Sequence, residues 1–275
     1  MSVAANSSAE SVYTHIVDSI DQQEMLFRIL GPVELTGRRT SLPPKIRLLL
    51  FIFLVGANKV VSTNQIISQL WGDDPPRTVA TTLQVYVSQL RKVLPAQPNG
   101  AARLSTRAPG YHFQLLPGES DATRFKLLYA RAREKFKAGD YLLAERLLEE
   151  ALGLWRGPAG ADVLPGPMLS GVIVALEDAR LAAHELRVEC GLRLDRHEEL
   201  VPELQLLTVE HPYSERVAGQ LMIALTHSGR QADALFAYNR LRARLAEDLG
   251  VVPGVWVTDL RRRLLATHSS PISLA

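Results

Sequence analysis

Cysteine is nearly missing from the chain: 275 residues carry one thiol, Cys190. A disulfide framework within the chain is excluded, and a reducing, cytosolic setting fits. Cys190 sits in an apolar helical run and reads as a small core residue rather than a reactive thiol. Long apolar runs are also missing. The most apolar stretch, Leu48 to Ala57, falls far short of the roughly 20 residues of a membrane span. Residues 1–24 hold no Lys or Arg and no apolar run, so no secretory signal is expected. Their Ser- and Ala-rich composition reads as a flexible leader, and residues 269–275 as a flexible tail.

Signatures of catalysis are missing as well. The chain contains no phosphate loop, no Gly-x-Ser-x-Gly elbow and no dinucleotide glycine pattern after a strand. The seven histidines (His15, His112, His184, His197, His211, His227 and His268) nowhere pair with Cys or carboxylates at metal spacing. The acidic pairs Glu149-Glu150, Glu198-Glu199 and Glu247-Asp248 read as solvated helix faces. No enzyme, metal, cofactor or membrane partner is expected.

What is present is an ordinary globular composition with an uneven charge. The apolar fraction of 47% suffices for a sizeable core, and the length fits two modest domains. The net charge of +2 hides an asymmetry. Residues 25–118 hold eleven bases and three acids, a net +8. Residues 1–24 carry −4 and the remainder −2. A basic block on a near-neutral remainder is the electrostatic footprint of a nucleic-acid-binding segment.

Within that block the pattern predicts small elements in a definite order. Met25 to Leu35, broken by Gly31-Pro32, reads as short antiparallel strands. Helix one is expected from Pro44 to Ala57, since Pro suits a first turn. It is apolar nearly all round, more than a single packed face requires. Its extra face is expected to pack on the later part of the chain, beyond residue 118, or on a second subunit. Ser62-Thr63-Asn64-Gln65 is a capping box opening helix two, Thr63 to Trp71. Asp73-Asp74-Pro75-Pro76 then enforces a stiff turn.

Helix three is expected from about Thr78 to Leu94. Leu83, Val87, Leu90 and Leu94 form one buried stripe. The outer side carries Thr81, Thr82, Gln84, Val85, Ser88, Arg91 and Lys92, with no acidic residue from Val79 to Leu94. Small residues permit close approach to DNA, and hydroxyls and amides can meet base edges. Thr81, Thr82, Gln84, Val85 and Ser88 are therefore the candidates for base contact; Arg77, Arg91 and Lys92 are the candidates for phosphate contact. Two strand-like pieces, Arg103 to Phe113, follow around Ala108-Pro109-Gly110. This hairpin is a wing, with Arg107 at its tip suited to a minor groove.

The second part, residues 119–268, is almost entirely helical in pattern. Gly139-Asp140-Tyr141, Asp195-Arg196-His197 and Gly229-Arg230-Gln231 open related helices, and Arg196 precedes Arg230 by 34 residues. That is the tetratricopeptide period, in which stacked helical hairpins share a core. The fold class predicted is an α+β winged helix-turn-helix over 25–118, followed by an all-α tetratricopeptide-like domain.

Thr81-Thr82-Leu-Gln-Val-Tyr-Val-Ser-Gln-Leu-Arg91, with Thr106-Arg107-Ala-Pro-Gly-Tyr111, resembles the winged helix-turn-helix of response-regulator (OmpR-like) effector domains. It is more closely similar to the Streptomyces antibiotic regulatory protein (SARP) family. Leu154-Trp155-Arg156-Gly157 and the tail from Leu241 to Leu265 resemble the bacterial transcriptional activation domain of that family, so the likeness spans about residues 25–265. The resemblance implies an activator of an antibiotic or other secondary-metabolite gene cluster. It implies tandem binding, as a dimer on double-stranded DNA, to direct repeats near the promoter −35 region, and contact with RNA polymerase holoenzyme. Tyr111 joins the expected DNA-binding residues. The turn of Trp71, Gly72, Asp73 and Asp74 is the expected polymerase contact. No receiver domain is expected before the winged segment. The competing readings are a protein-interaction scaffold with a peptide-binding helical surface and a repressor-type regulator.

Overall fold

The computed structural model describes residues 24–37 and 42–266. The expected leader (apart from Glu24) and the tail at 269–275 lie outside the described residues, as do Arg38 and Arg39. Packing divides the chain into two compact units. One comprises residues 1–130 and 150–181, the other 131–149 and 182–275. Packing therefore cuts across linear order, because a segment following the second helix of the helical region returns to the winged unit.

The first unit opens with β1 (Phe27–Arg28) and β2 (Glu34–Leu35), paired antiparallel with Phe27 opposite Leu35. Gly31 turns the chain between them at φ 137°, and a Cβ there would lie 3.0 Å from the Arg156 Cβ. Helix α1 (Pro44–Val55) starts behind Pro43 with Pro44 in its first turn. Eight of its residues are buried, among them Leu48 to Leu54 without interruption. One side packs on α2 (Thr63–Trp71), α3 (Val79–Val93) and β5 (Gly110–Phe113). On another side, Phe51 lies against the backbone of Gly160, whose Cβ would stand 3.2 Å from the ring. The extra apolar face of α1 is thus covered within this unit by the 159–163 segment. Its burial does not require a second subunit.

Helix α2 begins at the predicted capping box. Ser62 Oγ accepts from the Gln65 amide at 3.2 Å, and Gln65 Oε1 accepts from the Ser62 amide at 3.0 Å. These two bonds satisfy N–H groups that a helix start otherwise leaves open. Strand β3 (Val60–Ser62) leads into α2 and pairs with β5, which pairs in turn with β4 (Leu104–Arg107). This sheet of order β3-β5-β4 sets the hairpin tip, Arg107 opposite Gly110, beside the start of α2. Gly110 is required there, because a Cβ would stand 2.0 Å from the Val61 carbonyl oxygen.

Buried charge holds the unit together. Arg103 donates two 2.6 Å bonds to the Glu119 carboxylate, and both side chains are 1% exposed. Asp121 accepts from the amides of Ile29, Leu30 and Ala122. Burial raises its carboxyl above the ordinary value, against the lowering by those amides and by Arg156, 3.9 Å away. The segment from Trp155 to Asp162 clasps the β1–β2 turn: the Arg156 amide donates to the Leu30 carbonyl at 2.8 Å, and the Gly160 amide to Ile29 at 2.9 Å. The Arg156 guanidinium meets Glu34 at 2.8 Å, and Asp162 accepts from the Val33 amide at 2.8 Å.

Three helices, α4 (Asp121–Lys137), α5 (Tyr141–Gly153) and α6 (Pro167–Arg193), contribute residues to both units. The second unit adds α7 (His197–Glu210), α8 (Glu215–His227), α9 (Gln231–Leu249) and α10 (Val255–Ala266). Successive helices pack on each other, α7 on α8 and α8 on α9. Arg196 and Arg230, 34 residues apart, are both N-cap residues. Each follows a left-handed residue, Asp195 at φ 58° and Gly229 at φ 74°. Cys190 is fully buried, and its thiol is pushed up to about 12 by burial first and by Glu145 and Glu189 next. No helix among the described residues is long and apolar enough to cross a membrane.

Candidate nucleic-acid interface

Helix α3 divides into two faces because its apolar residues recur at helical spacing. Leu83, Val87 and Leu90 are buried, and each such burial contributes about 1.5–3 kcal/mol. Leu94, expected to extend the stripe, is half-buried at the C-cap. The opposite face is open. Thr81, Gln84, Val85, Ser88, Arg91 and Lys92 are exposed, and Val85 is 47% exposed although apolar. Thr82 is half-buried, with its hydroxyl 3.3 Å from that of Thr78. An exposed valine among small and amide side chains suits contact with a base methyl group.

The cations around this face differ in what they already hold. Arg77, Lys92 and Arg107 are exposed and form no ion pair among the described residues. Arg91 is committed to the wing: Nε donates to the Leu104 carbonyl at 3.0 Å, and Nη2 to Thr106 Oγ1 at 2.9 Å. Its guanidinium also lies 5.9 Å from the Tyr111 ring centroid. Nη1 and one Nη2 hydrogen remain for a phosphate. Arg91 therefore fixes the wing against α3 as well as adding charge. Thr106, which sequence reading did not single out, is its anchor.

Tyr111 is placed apart from the other candidates. It is 9% exposed, and its ring meets Phe53 edge-on at 6.2 Å. Its body supports the sheet under the wing. Alternation along β5 carries the signal, since Tyr111 and Phe113 point the same way and Phe113 is fully buried.

The net +8 overstates the surface charge. Arg103 is neutralised by Glu119, one residue beyond the counted block. Arg47 meets Asp162 at 2.6 Å. Lys45 donates to the Leu70 carbonyl and lies 5.8 Å from the Trp71 ring. Among the described residues the exposed cations without an ion pair thus include Arg77 just before α3, Lys92 on α3 and Arg107 at the wing tip, with Arg91 beside them and Lys59 before β3.

The turn before α3 is solvent-facing at Gly72, Asp73 and Asp74. Trp71 is half-buried and stacks on Tyr86 at 5.9 Å, which stiffens the connection.

This geometry agrees with the chain's likeness to known proteins. Residues 37–113 match the family described as "Transcriptional regulatory protein, C terminal", and residues 120–265 match "Bacterial transcriptional activator domain". The chain is 36% identical to Regulatory protein DnrI of Streptomyces peucetius over 250 residues, covering 88% of this chain and 92% of that one. It is 37% identical to Regulatory protein AfsR of Streptomyces griseus over 242 residues, which are 87% of this chain and 24% of AfsR. The fold is similar to that of Mycobacterium tuberculosis EmbR, solved in complex with a low affinity phosphopeptide. The TM-score is 0.82 at 32% identity, with 91% of this chain and 67% of that chain covered.

Proposed function

We propose, from the premise that the chain belongs to the SARP family of DNA-binding transcriptional regulators, that it activates a secondary-metabolite gene cluster by reading direct repeats near the promoter −35 region. The observation that carries this reading is the exposed, acid-free face of α3 flanked by the free cations Arg77, Lys92 and Arg107. Helix α3 enters the major groove. Thr81, Gln84, Val85 and Ser88 face base edges, with Thr82 at the margin. The wing tip delivers Arg107 to the adjacent minor groove or backbone, and Arg77, Arg91 and Lys92 set the register on phosphates. Two copies bind in tandem, one helical turn apart. The exposed turn at Gly72, Asp73 and Asp74, stiffened by Trp71, and the helical region of 119–268 contact RNA polymerase. Such a regulator works in the cytoplasm, on the nucleoid.

The test is footprinting of the purified chain on promoter fragments from its gene neighbourhood, beside Arg107→Ala and Gln84→Ala. Protection of a tandem repeat that both variants weaken supports the reading. Binding no better than to random DNA at moderate salt overturns it. Run-off transcription from the protected promoter then reads the sign: increased transcript supports activation, and decreased transcript makes the protein a repressor.

A further inference from the structure

The first unit holds a cavity of about 420 Å³ that lies apart from the face of α3. Its walls come from the C-terminal end of α1, the segment opening α4 and the first turns of α6. Leu54, Val172 and Leu176 give it apolar walls. The volume lies within the range of small-molecule sites, which pair apolar walls with a few placed polar groups. Three polar side chains line this one, Ser120, Thr123 and Lys126, and the Thr123 hydroxyl already donates to the Ser120 carbonyl.

The side chains of Ser120 and Lys126 are without partners among the described residues. Ser120 is 2% exposed. Its carbonyl accepts from the Arg124 amide and the Thr123 hydroxyl, but its own hydroxyl has no hydrogen-bond partner among the described residues. The hydroxyl is not among the buried unsatisfied atoms, so it opens onto the cavity and is free to bond a ligand there. Lys126 has no ion-pair partner among the described residues. The nearest carboxylates along the chain are already engaged, Glu119 by Arg103 and Asp121 by three backbone amides. The cavity thus offers one ammonium and one hydroxyl donor against apolar walls, with no free carboxylate among its lining residues.

We infer that this cavity is a binding site for a small amphipathic monocarboxylate, a free acid with an aliphatic body. The body fills the space between α1 and α6. The carboxylate meets Lys126 and accepts from the Ser120 hydroxyl, a charge-assisted arrangement. A cation with the same body finds only the Lys126 ammonium and is repelled.

The experiment is isothermal titration of the full chain with three probes kept below micelle formation: decanoate, 1-decanol and decyltrimethylammonium. Decanoate saturates at one per chain, decanol binds more weakly, and the cation does not bind. Lys126→Ala, at an exposed position, weakens decanoate about tenfold and leaves decanol unchanged. Gly171→Leu abolishes binding of both. A Cβ at Gly171 meets nothing within 4 Å, and replacing a helical glycine raises helix propensity, so the variant keeps its melting temperature. Absence of saturable decanoate binding, equal binding of the cation, or decanoate affinity unchanged in Lys126→Ala overturns the inference. Because no DNA is present, failure here leaves the operator-binding reading untouched.

Discussion

Arg103 and Arg107 stand four residues apart, yet one lies inside the protein and the other on its surface. Arg103 is 1% exposed and bonded twice to Glu119. Arg107 sits exposed at the wing tip without an ion-pair partner among the described residues. Both add one unit to the same basic count. A buried, fully bonded pair has no field left to offer a polyanion, whereas an exposed guanidinium keeps its charge and its donors. Charge counted along a sequence therefore measures an upper bound on the binding surface. The division recurs nearby: Arg47 and Arg156 hold the β1–β2 turn and the 155–162 segment, while Arg77 and Lys92 face solvent.

The sharpest way to break this comparison is stability. Arg103→Met strands the Glu119 carboxylate in the core, and urea unfolding is expected to show a loss of about 3–5 kcal/mol. Arg107→Ala should stay within about 0.5 kcal/mol of wild type. Equal losses in the two variants would end the distinction. The converse appears on DNA. Lys92→Ala and Arg107→Ala should each reduce the slope of log affinity against log salt by about 1, whereas Gln84→Ala should alter base preference and leave the slope alone. A smaller effect tests whether α2 is held at its start by its own cap: Ser62→Ala is expected to cost about 1 kcal/mol of stability by thermal melting, without changing the salt slope. The smallest concerns Cys190, which extends the rule from charge to reactivity. With its thiol pushed up to about 12, a thiol reagent at pH 8 should leave the native chain unmodified and label it on unfolding. Rapid labelling of the native chain would place Cys190 at the surface.

Much of the winged region was legible because its signals are local. The Ser62–Gln65 box and the bounds of α2 lie within one turn of helix, so neighbouring residues suffice to specify them. The buried stripe of α3 follows from spacing alone. Helices one and three were expected to run slightly beyond their observed ends, Val55 and Val93. Gly56 and Leu94 cap them, and each end is marked locally, by the glycine itself and by Pro95 after Leu94. Tyr111, grouped with the DNA-binding residues through its motif, is 9% exposed because the parity of β5 turns its ring inward. The 34-residue spacing was legible because two helix starts reuse the same left-handed residue and cap.

The sequence by itself determined the order of elements, the caps, the acid-free helix face and the resemblance to the SARP family. These depend on residues within a few positions of one another, where backbone geometry is set by chirality, periodicity and short side-chain bonds. Only the tertiary structure decided which charges are spent internally, what covers α1, and where a cavity with apolar walls remains. Asp121 finds the Ile29 amide across 92 residues of chain, and Arg156 reaches Glu34 from the helical region. A side chain's charge, donors and contact surface become available to a ligand only if no distant segment has already taken them, and that depends on distances the folded chain alone establishes.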